Sequence, residues 1–264
     1  MISATAAKVA SRIVLKRVDA TERAHEIVKF DRQTLGFDIE IWLTAMRGQI
    51  LVILGRGDEA RPFLDRILAL DGSQVDTIHY VIPSLAYVDL AWSRGDVRMA
   101  QEHSERAFAL AMKSGNPYLR VYTQACRGLA HIIAGRLNSA IEDLSGALSF
   151  ARSRKAGLEN EARILADLAN AHRLNGDAAA ALATVNEAIE VAAARHARVG
   201  ECFARIVRAG ILARSPDGDL RAEAIRELGH ARALMQQTGA LLLETFIDGA
   251  GESPGSRQLS TKAN

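Results

Sequence analysis

Small and apolar residues recur along the chain at a nearly constant spacing. In each copy a glycine is followed five residues later by an alanine and seven residues after that by a further small or apolar residue. The clear copies begin at Gly55, Gly95, Gly135 and Gly176, so that successive copies are 40, 40 and 41 residues apart. A fixed period of roughly 20 to 50 residues is typical of a solenoid, whose repeats bury a continuous core against their neighbours. The spacing therefore predicts an array of repeats.

Each period is long enough for two helices, with the glycine in the turn between them. In the fourth copy, residues 159–176 form the predicted first helix and residues 177–197 the predicted second helix. Glycine accepts the positive φ that often follows a helix C-terminus, and the side chain of Asp177 can cap the helix that follows. The long alternating β-branched runs that are typical of strands are absent from the sequence. The predicted fold class is therefore all-α.

Residues at equivalent positions of the copies are predicted to lie where helices touch, because a small side chain lets two helices approach closely. These positions are the turn glycine itself, the residue seven positions before it, and the residues five and twelve positions after it. The predicted repeat-packing residues are Gly48, Gly55, Ala60, Gly95, Ala100, Ala107, Gly128, Gly135, Ala140, Ala147, Ala169, Gly176, Ala181 and Ala188. In a looser fifth copy, Ala224 and Ala231 are expected at the two positions after the turn.

The chain divides into three predicted parts. Residues 1–36 are expected to form a partial N-terminal repeat, in which a frayed helix precedes the remnant of a second helix, and residues 37–240 are expected to form the array. Residues 241–264 are expected to be a C-terminal extension that is mostly a disordered tail, because the sequence after Ile247 is small, polar and rich in helix breakers. A half-repeat leaves an apolar helix face uncovered, which offers a surface for self-association.

Charge and cysteine content argue against several classes of partner. The 33 basic and 31 acidic residues give a net charge of +2, which produces no long-range field for nucleic acid or an anionic membrane. Cys126 and Cys202 lack the spacing of a disulfide framework or a zinc site. No apolar run reaches the roughly 18 residues of a membrane span, and residence in the cytoplasm is expected. Basic clusters at residues 112–117, 152–157 and 194–200 are expected to complement the negative ends of the second helices.

The sequence predicts neither an enzyme nor a cofactor or metal site. The G-x-x-x-x-G-K-[ST] phosphate loop is absent. A G-x-S-x-G string at residues 251–255 lacks the flanking strand and helix, and the later His and acidic partners, that a hydrolase elbow needs. His131 and His172 occupy equivalent repeat positions, but Leu51 and Ala91 hold that position in earlier copies. Partly buried spacers are therefore favoured over metal ligands.

The first helices of stacked pairs line the concave groove of a solenoid, and equivalent residues form a ladder across it. One such position is polar in three of four copies, and its polar members either hydrogen-bond a partner or form the solvent-facing edge of each helix. Two aromatic residues on first helices are candidate anchors for a partner, with core packing as the alternative. The predicted partner-binding groove comprises Gln49, Asp89, Trp92, Tyr122, Asn170 and Arg173.

On these glycine and alanine positions the chain resembles tetratricopeptide repeats (TPR) over roughly residues 18–240. The resemblance implies a right-handed α-α superhelix, a TPR-like solenoid of about five helix pairs. The period of 40 residues exceeds the roughly 34 residues of that family. The longer, alanine-rich units are similar to the C-terminal repeat regions of bacterial LuxR-type ATP-dependent regulators and ATPase-linked class III adenylyl cyclases. The segment HARALMQQTGALLLETF at residues 230–246 is particularly similar to the closing segment of the cyclase-linked arrays.

The resemblance implies a non-catalytic scaffold for protein–protein interaction, or a regulatory or sensor region of a bacterial signalling protein. The expected partner is a protein or peptide in the concave groove, and an ATPase or cyclase module is a further candidate. The alternative is that the chain is the C-terminal array of an adenylyl cyclase or ATPase-type regulator and is classified by the activity of that parent.

Overall fold

The computed structural model describes residues 39–70 and 76–251 of the chain. The predicted partial repeat at residues 1–36 and the part of the predicted tail beyond Gly251 lie outside the described residues. Within the described ranges the chain is helical and contains no strand, which confirms the all-α prediction.

The two helices of each pair are joined by a short turn and run antiparallel. The first six are α1 Ile39–Ile53, α2 Gly57–Leu68, α3 Thr77–Arg94, α4 Val97–Ser114, α5 Pro117–Ile133 and α6 Leu137–Arg154. The next five are α7 Glu161–Leu174, α8 Ala178–Ala194, α9 Arg198–Leu212, α10 Gly218–Thr238 and α11 Glu244–Gly251. Short 3-10 helices lie at Leu158–Asn160 and Leu241–Leu243.

The chain forms two compact units. The first includes α1 to α6 together with Gln237–Leu242, and the second includes Glu159–Gln236 and, among the described residues, 243–251. In the first unit each helix packs on the next one, and the first helices α1, α3 and α5 also contact one another in order. In the second unit α7 packs on α8, α8 on α9 and α7 on α9. Each unit therefore shows the sequential helix-pair packing of a helical repeat array.

The core of the first unit lies between successive helix pairs. Ile82 of α3 packs with Ala45 of α1 and Ile67 of α2. Leu85, less than one turn further along α3, packs with Leu119 of α5 instead. Because α3 contributes to clusters on both sides, it joins the first pair to the third and is itself buried over most of its length.

Small residues occupy the positions where the two helices of a pair cross. A Cβ atom on Gly48 of α1 would lie 2.4 Å from Cδ2 of Leu64 on α2, and one on Gly128 of α5 would lie 2.7 Å from Cγ of Leu144 on α6. Both distances are too short for a carbon–carbon contact, so these helices approach as closely as they do because glycine is present. The alanines of the repeat pattern are 0% exposed: Ala60, Ala100, Ala107, Ala140, Ala147, Ala169, Ala181 and Ala188.

The turn glycines adopt the conformation that only glycine reaches without strain. Gly55, Gly95, Gly135 and Gly176 have φ between 66° and 87°. After two of these turns the next residue caps the following helix: Asp96 accepts a 2.9 Å hydrogen bond from the Met99 backbone N–H, and Asp177 accepts a 2.9 Å bond from that of Ala180. A left-handed glycine followed by an aspartate cap thus ends one helix and starts the next.

The fifth copy and the start of the C-terminal extension are folded. Ala224 and Ala231 of α10 are buried, as are Leu243 and Ile247 beyond it. The ring of Phe246 lies edge-on to that of Phe203 on α9, with centroids 6.2 Å apart. The helix α11 continues to Gly251, past Ile247, where the sequence predicted that a tail begins. The buried apolar residues of this segment anchor the helix, and the small residues that follow can continue its hydrogen bonding.

No helix among the described residues is long and apolar enough to cross a membrane.

Replacing a buried repeat alanine by arginine tests the packing. We expect Ala140→Arg or Ala181→Arg to lower the free energy of unfolding by about 3 kcal/mol or more, because each change overpacks a helix contact and buries an unpaired charge. The measurement is urea unfolding followed by circular dichroism. Asn138→Arg on α6 and Ala179→Arg on α8 are the controls, since both positions are exposed. Equal stability of the buried and exposed variants would contradict this packing.

Candidate functional site

Four of the predicted groove residues lie on first helices of the first unit. Gln49 on α1, Asp89 on α3 and Tyr122 on α5 are half-buried, whereas Trp92 on α3 is only 7% exposed. The three helices contact one another in the order α1, α3, α5. The structure therefore places these residues on helices that pack side by side, but it makes Trp92 part of the core.

The central helix of this group leaves one residue partly open to solvent. Every residue of α3 from His79 to Trp92 is buried except Asp89. Its neighbours along α3 are buried and most of them are apolar, and a polar contact beside buried apolar surface is stronger than in bulk water. Asp89 is therefore the predicted groove residue whose setting best suits recognition of a partner.

Tyr122 contributes both to the core and to the partly exposed surface of α5. Its ring packs against the cluster that contains Val81 and Leu85. It also lies beside the ring of Tyr118, which is 38% exposed, with centroids 4.6 Å apart and a tilt of 32°. The two tyrosines form an aromatic surface at the N-terminal end of α5.

The remaining two groove residues lie on α7 in the second unit and bind each other. Asn170 is only 8% exposed, and its Oδ1 accepts hydrogen bonds from Arg173 Nε at 3.1 Å and Nη2 at 2.7 Å. The sequence placed both side chains in the groove as polar groups for a partner. In the structure Asn170 is buried, and its amide oxygen already accepts bonds from a residue of its own helix.

A polar cluster that the repeat pattern did not predict joins α2, α3 and α4. The Tyr87 hydroxyl donates to Oδ1 of Asp65, and the Tyr87 ring stacks on the His103 ring with centroids 4.3 Å apart and planes 16° apart. Burial and the Asp65 carboxylate raise the pKa of Tyr87. Burial lowers the pKa of His103, and Arg106 adds to this effect while Glu102 and Asp65 oppose it. The cluster therefore keeps tyrosine protonated and favours neutral histidine.

A second cluster explains His131. Arg127 donates to both carboxylate oxygens of Asp143, with bonds of 2.7 and 2.6 Å. His131 lies with Nε2 3.4 Å from Asp143, while its Nδ1 accepts a 3.0 Å bond from Arg136. Burial, followed by the Arg136 charge, lowers the pKa of His131. This histidine is a half-buried member of an ion-pair cluster, and among the described residues no group of His, Cys, Asp and Glu forms a metal-binding set.

The second unit contains buried carboxylates that are fully paired. Arg205 joins Glu201 of α9 to Glu227 of α10, and Arg208 joins Glu227 to Glu223. Both oxygens of Glu227 accept bonds from arginine, at 2.6 and 2.9 Å. Arginine thus occupies the carboxylate oxygens, and the network holds α9 and α10 together.

The cysteines are free thiols. Cys202 is buried and its Sγ lies 3.2 Å from the carbonyl oxygen of Ala231, as a donor. Burial, followed by the Glu201 charge, raises the pKa of this thiol to about 12. Since the thiolate is the nucleophilic form, Cys202 is unreactive at neutral pH.

No family model matches the chain, and no curated protein sequence matches it.

The histidine clusters predict that stability decreases in acid. The pKa of His103 in the folded chain lies below its ordinary value of 6.5, so the unfolded chain binds the proton more readily. The contribution of neutral His103 to stability is therefore complete above pH 6.5, and it is lost as the pH falls from 6.5 through the lower pKa of the folded chain. We expect the melting temperature to fall between pH 7 and 5.5.

The variant His103→Phe keeps an aromatic ring against Tyr87 but cannot titrate, so we expect a smaller decrease in melting temperature over the same pH range. His230→Gln, at an exposed position, serves as the control and should retain the full decrease. A His103→Phe profile that matches wild type would show that His103 does not contribute.

Proposed function

We propose that the chain is a non-catalytic scaffold that binds a protein or peptide segment through the first helices of its first unit. The observation that carries the proposal is the setting of Asp89, the one half-exposed residue in the otherwise buried stretch of α3 from His79 to Trp92. A residue that serves only to solvate a helix edge would be expected among other exposed polar residues. Asp89 instead follows and precedes buried, mostly apolar residues of α3.

The neighbouring first helices add groups that suit a protein partner. Gln49 lies on α1 at the equivalent repeat position, and Tyr122 presents an aromatic ring on α5. Interfaces between proteins combine a few desolvated polar groups with aromatic side chains, and aromatic residues often contribute much of the binding energy. The partner that best fits this face carries a hydrogen-bond donor or cation opposite Asp89 and an apolar group near Tyr122.

Three buried ionisable groups of the second unit support a structural role over a catalytic one. Glu201 and Glu227 are paired with arginine, and Cys202 is a buried, protonated thiol. A general base or nucleophile needs a free, suitably activated group within reach of a substrate. Groups held in this way support a structural role.

The proposal extends to the superhelical arrangement of the helix pairs, to a role in signalling and to the cellular location of the protein. The helix pairs are proposed to follow the right-handed superhelix that the TPR resemblance implies, with a regulatory or sensor role in a bacterial signalling protein. Residence in the cytoplasm is proposed because Cys126 and Cys202 are both free thiols, as is usual in a reducing compartment.

Affinity capture with a matched pair of variants tests the proposal. Wild type, Asp89→Asn and Glu102→Gln would each be immobilised and exposed to lysate of the source organism, and bound proteins quantified by mass spectrometry. Asp89→Asn removes one charge with almost no change of shape, and Glu102→Gln makes the same change at an exposed site on α4. We expect a partner whose recovery falls about tenfold or more with Asp89→Asn, as loss of a desolvated charge pair predicts, and is unchanged with Glu102→Gln.

The partner would then be purified and its affinity for the three proteins measured by calorimetry, with melting temperatures recorded for each. Equal affinity for wild type and Asp89→Asn, or the absence of any specific partner, would contradict binding through this face. A loss of affinity that accompanies a loss of fold would not count, which is why the melting temperatures are part of the measurement.

A further inference from the structure

A cavity of about 430 Å³ lies in the first unit where three helix ends meet. The C-terminal ends of α4 and α6 and the N-terminal end of α5 surround it, and it is open to solvent on one side. Its lining includes Ala111, Met112, Pro117, Arg120, Phe150 and Arg154. We call it the Arg120 pocket. Its volume lies within the range of roughly 300 to 1,000 Å³ that is usual for small-molecule sites.

Two guanidinium groups of this pocket lie against the same aromatic ring. The guanidinium carbon of Arg120 is 4.1 Å from the centroid of the Phe150 ring, and that of Arg154 is 5.8 Å from it. Neither side chain forms an ion pair or a hydrogen bond with any residue that the structure describes. The Nε atom of Arg120 is buried and has no hydrogen-bond partner in this part of the chain.

This arrangement is unusual for a purely structural pair of arginines. Like charges that share a ring repel each other, and a buried donor without a partner carries the cost of its lost hydration. Elsewhere in the same unit, Arg127 also lies over a ring, that of Phe108, but it binds Asp143 through two hydrogen bonds. The Arg120 pocket lacks the anion that completes the equivalent cluster around Arg127.

The sequence around the pocket increases its positive charge. Residues 112–117 and 152–157 contribute four residues and Arg154, respectively, to the lining. The two segments contain Arg154, three further cations that do not line the pocket, and no acidic residue. The sequence interpretation assigned these clusters to the negative ends of α4 and α6. That role accounts for cations near a helix end, but it does not explain why two guanidinium groups converge on one cavity beside apolar side chains.

The apolar part of the lining determines what kind of anion fits. Met112 is 48% exposed although it is a large apolar residue, and Phe150, Ala111 and Pro117 complete an apolar wall. We propose that the Arg120 pocket binds a small amphiphilic carboxylate. Its carboxylate pairs with Arg120 and Arg154, and its short hydrocarbon or aryl group packs between Met112 and Phe150. This site is separate from Asp89 and does not depend on the proposed scaffold function.

Methyl NMR of methionine provides a local test, because Met112 lines the pocket and the chain has only five methionines. The protein would be labelled with ¹³C at the methionine methyl groups, and the Met112 signal assigned with Met112→Leu. Sodium octanoate and 1-octanol, which share a chain length and differ in charge, would be titrated separately. We expect octanoate to shift the Met112 signal to saturation and to bind about tenfold or more tightly than octanol, because a charge-assisted hydrogen bond is lost with the alcohol.

Three variants test which arginine side chains octanoate binding requires. Arg120→Gln and Arg154→Gln are each expected to weaken octanoate binding by about tenfold or more. Arg98→Gln makes the same change at an exposed position near the other end of α4 and should bind as wild type does. Arg154→Gln is also at an exposed position, so it remains informative even if Arg120→Gln perturbs the fold.

Specific results would overturn the proposal. These are a Met112 signal that does not move, equal binding of octanoate and octanol, equal effects of Arg98→Gln and Arg154→Gln, or shifts of the Met99 signal as large as those of Met112. The last result would indicate non-specific association of octanoate with the protein, because Met99 lies in the first turn of α4, far along the helix from the pocket.

Discussion

The helix pairs of this chain depend on a close approach where their two helices cross, and the sequence permits that approach through a balance of side-chain sizes. A Cβ atom at Gly128 would collide with Leu144, so the large residue on one helix requires glycine on the other. The equivalent positions of successive pairs hold complementary residues, all of them buried: Gly48 with Leu64, Val88 with Ser104, Gly128 with Leu144, and Ala169 with Val185. When the first helix carries a larger residue, the second carries a smaller one.

Both candidate surfaces follow from this packing. Because α3 is held between α1, α2, α4 and α5, nearly all of its surface is buried, and Asp89 becomes the half-exposed carboxylate of that helix. Because each second helix ends at a short turn, the ends of α4 and α6 and the start of α5 come together, and Arg120 and Arg154 converge beside Phe150. The Asp89 face and the Arg120 pocket thus depend on the same pairing but use different parts of it.

The sequence predicted the helices well because their signals are local and repeated. Gly95 with Asp96, and Gly176 with Asp177, mark a helix stop and a helix start, and the structure contains both features. The folded part of the C-terminal extension was harder to predict, since the polar residues after Ile247 resemble a tail and the helix there depends on tertiary burial. The sequence left core packing open for Trp92 and could not decide whether Trp92 and Asn170 are buried, for a related reason. Counting residues along a helix shows on which side of the helix a residue lies. Whether that side is exposed to solvent depends on the helices that pack against it.

Side-chain clusters escape sequence reasoning for another reason. Asp65, Tyr87 and His103 lie on three helices and have no shared spacing that a repeat pattern reveals. The same is true of Arg205 between Glu201 and Glu227. Arginines near helix ends were interpreted as complements of the helix dipole, and that interpretation could not distinguish Arg154, which faces a cavity, from cations that only face solvent.

A double-mutant cycle at Gly128 and Leu144 tests the size balance directly. Gly128→Ala should lower the free energy of unfolding by about 1 to 3 kcal/mol in the wild-type chain, because the added methyl group collides with Leu144. In a Leu144→Ala background the same change should be neutral or stabilising, since the collision is gone and alanine favours a helix more than glycine does. An equal effect of Gly128→Ala in both backgrounds would contradict the account, because the two helices would then not depend on complementary side-chain size at their crossing.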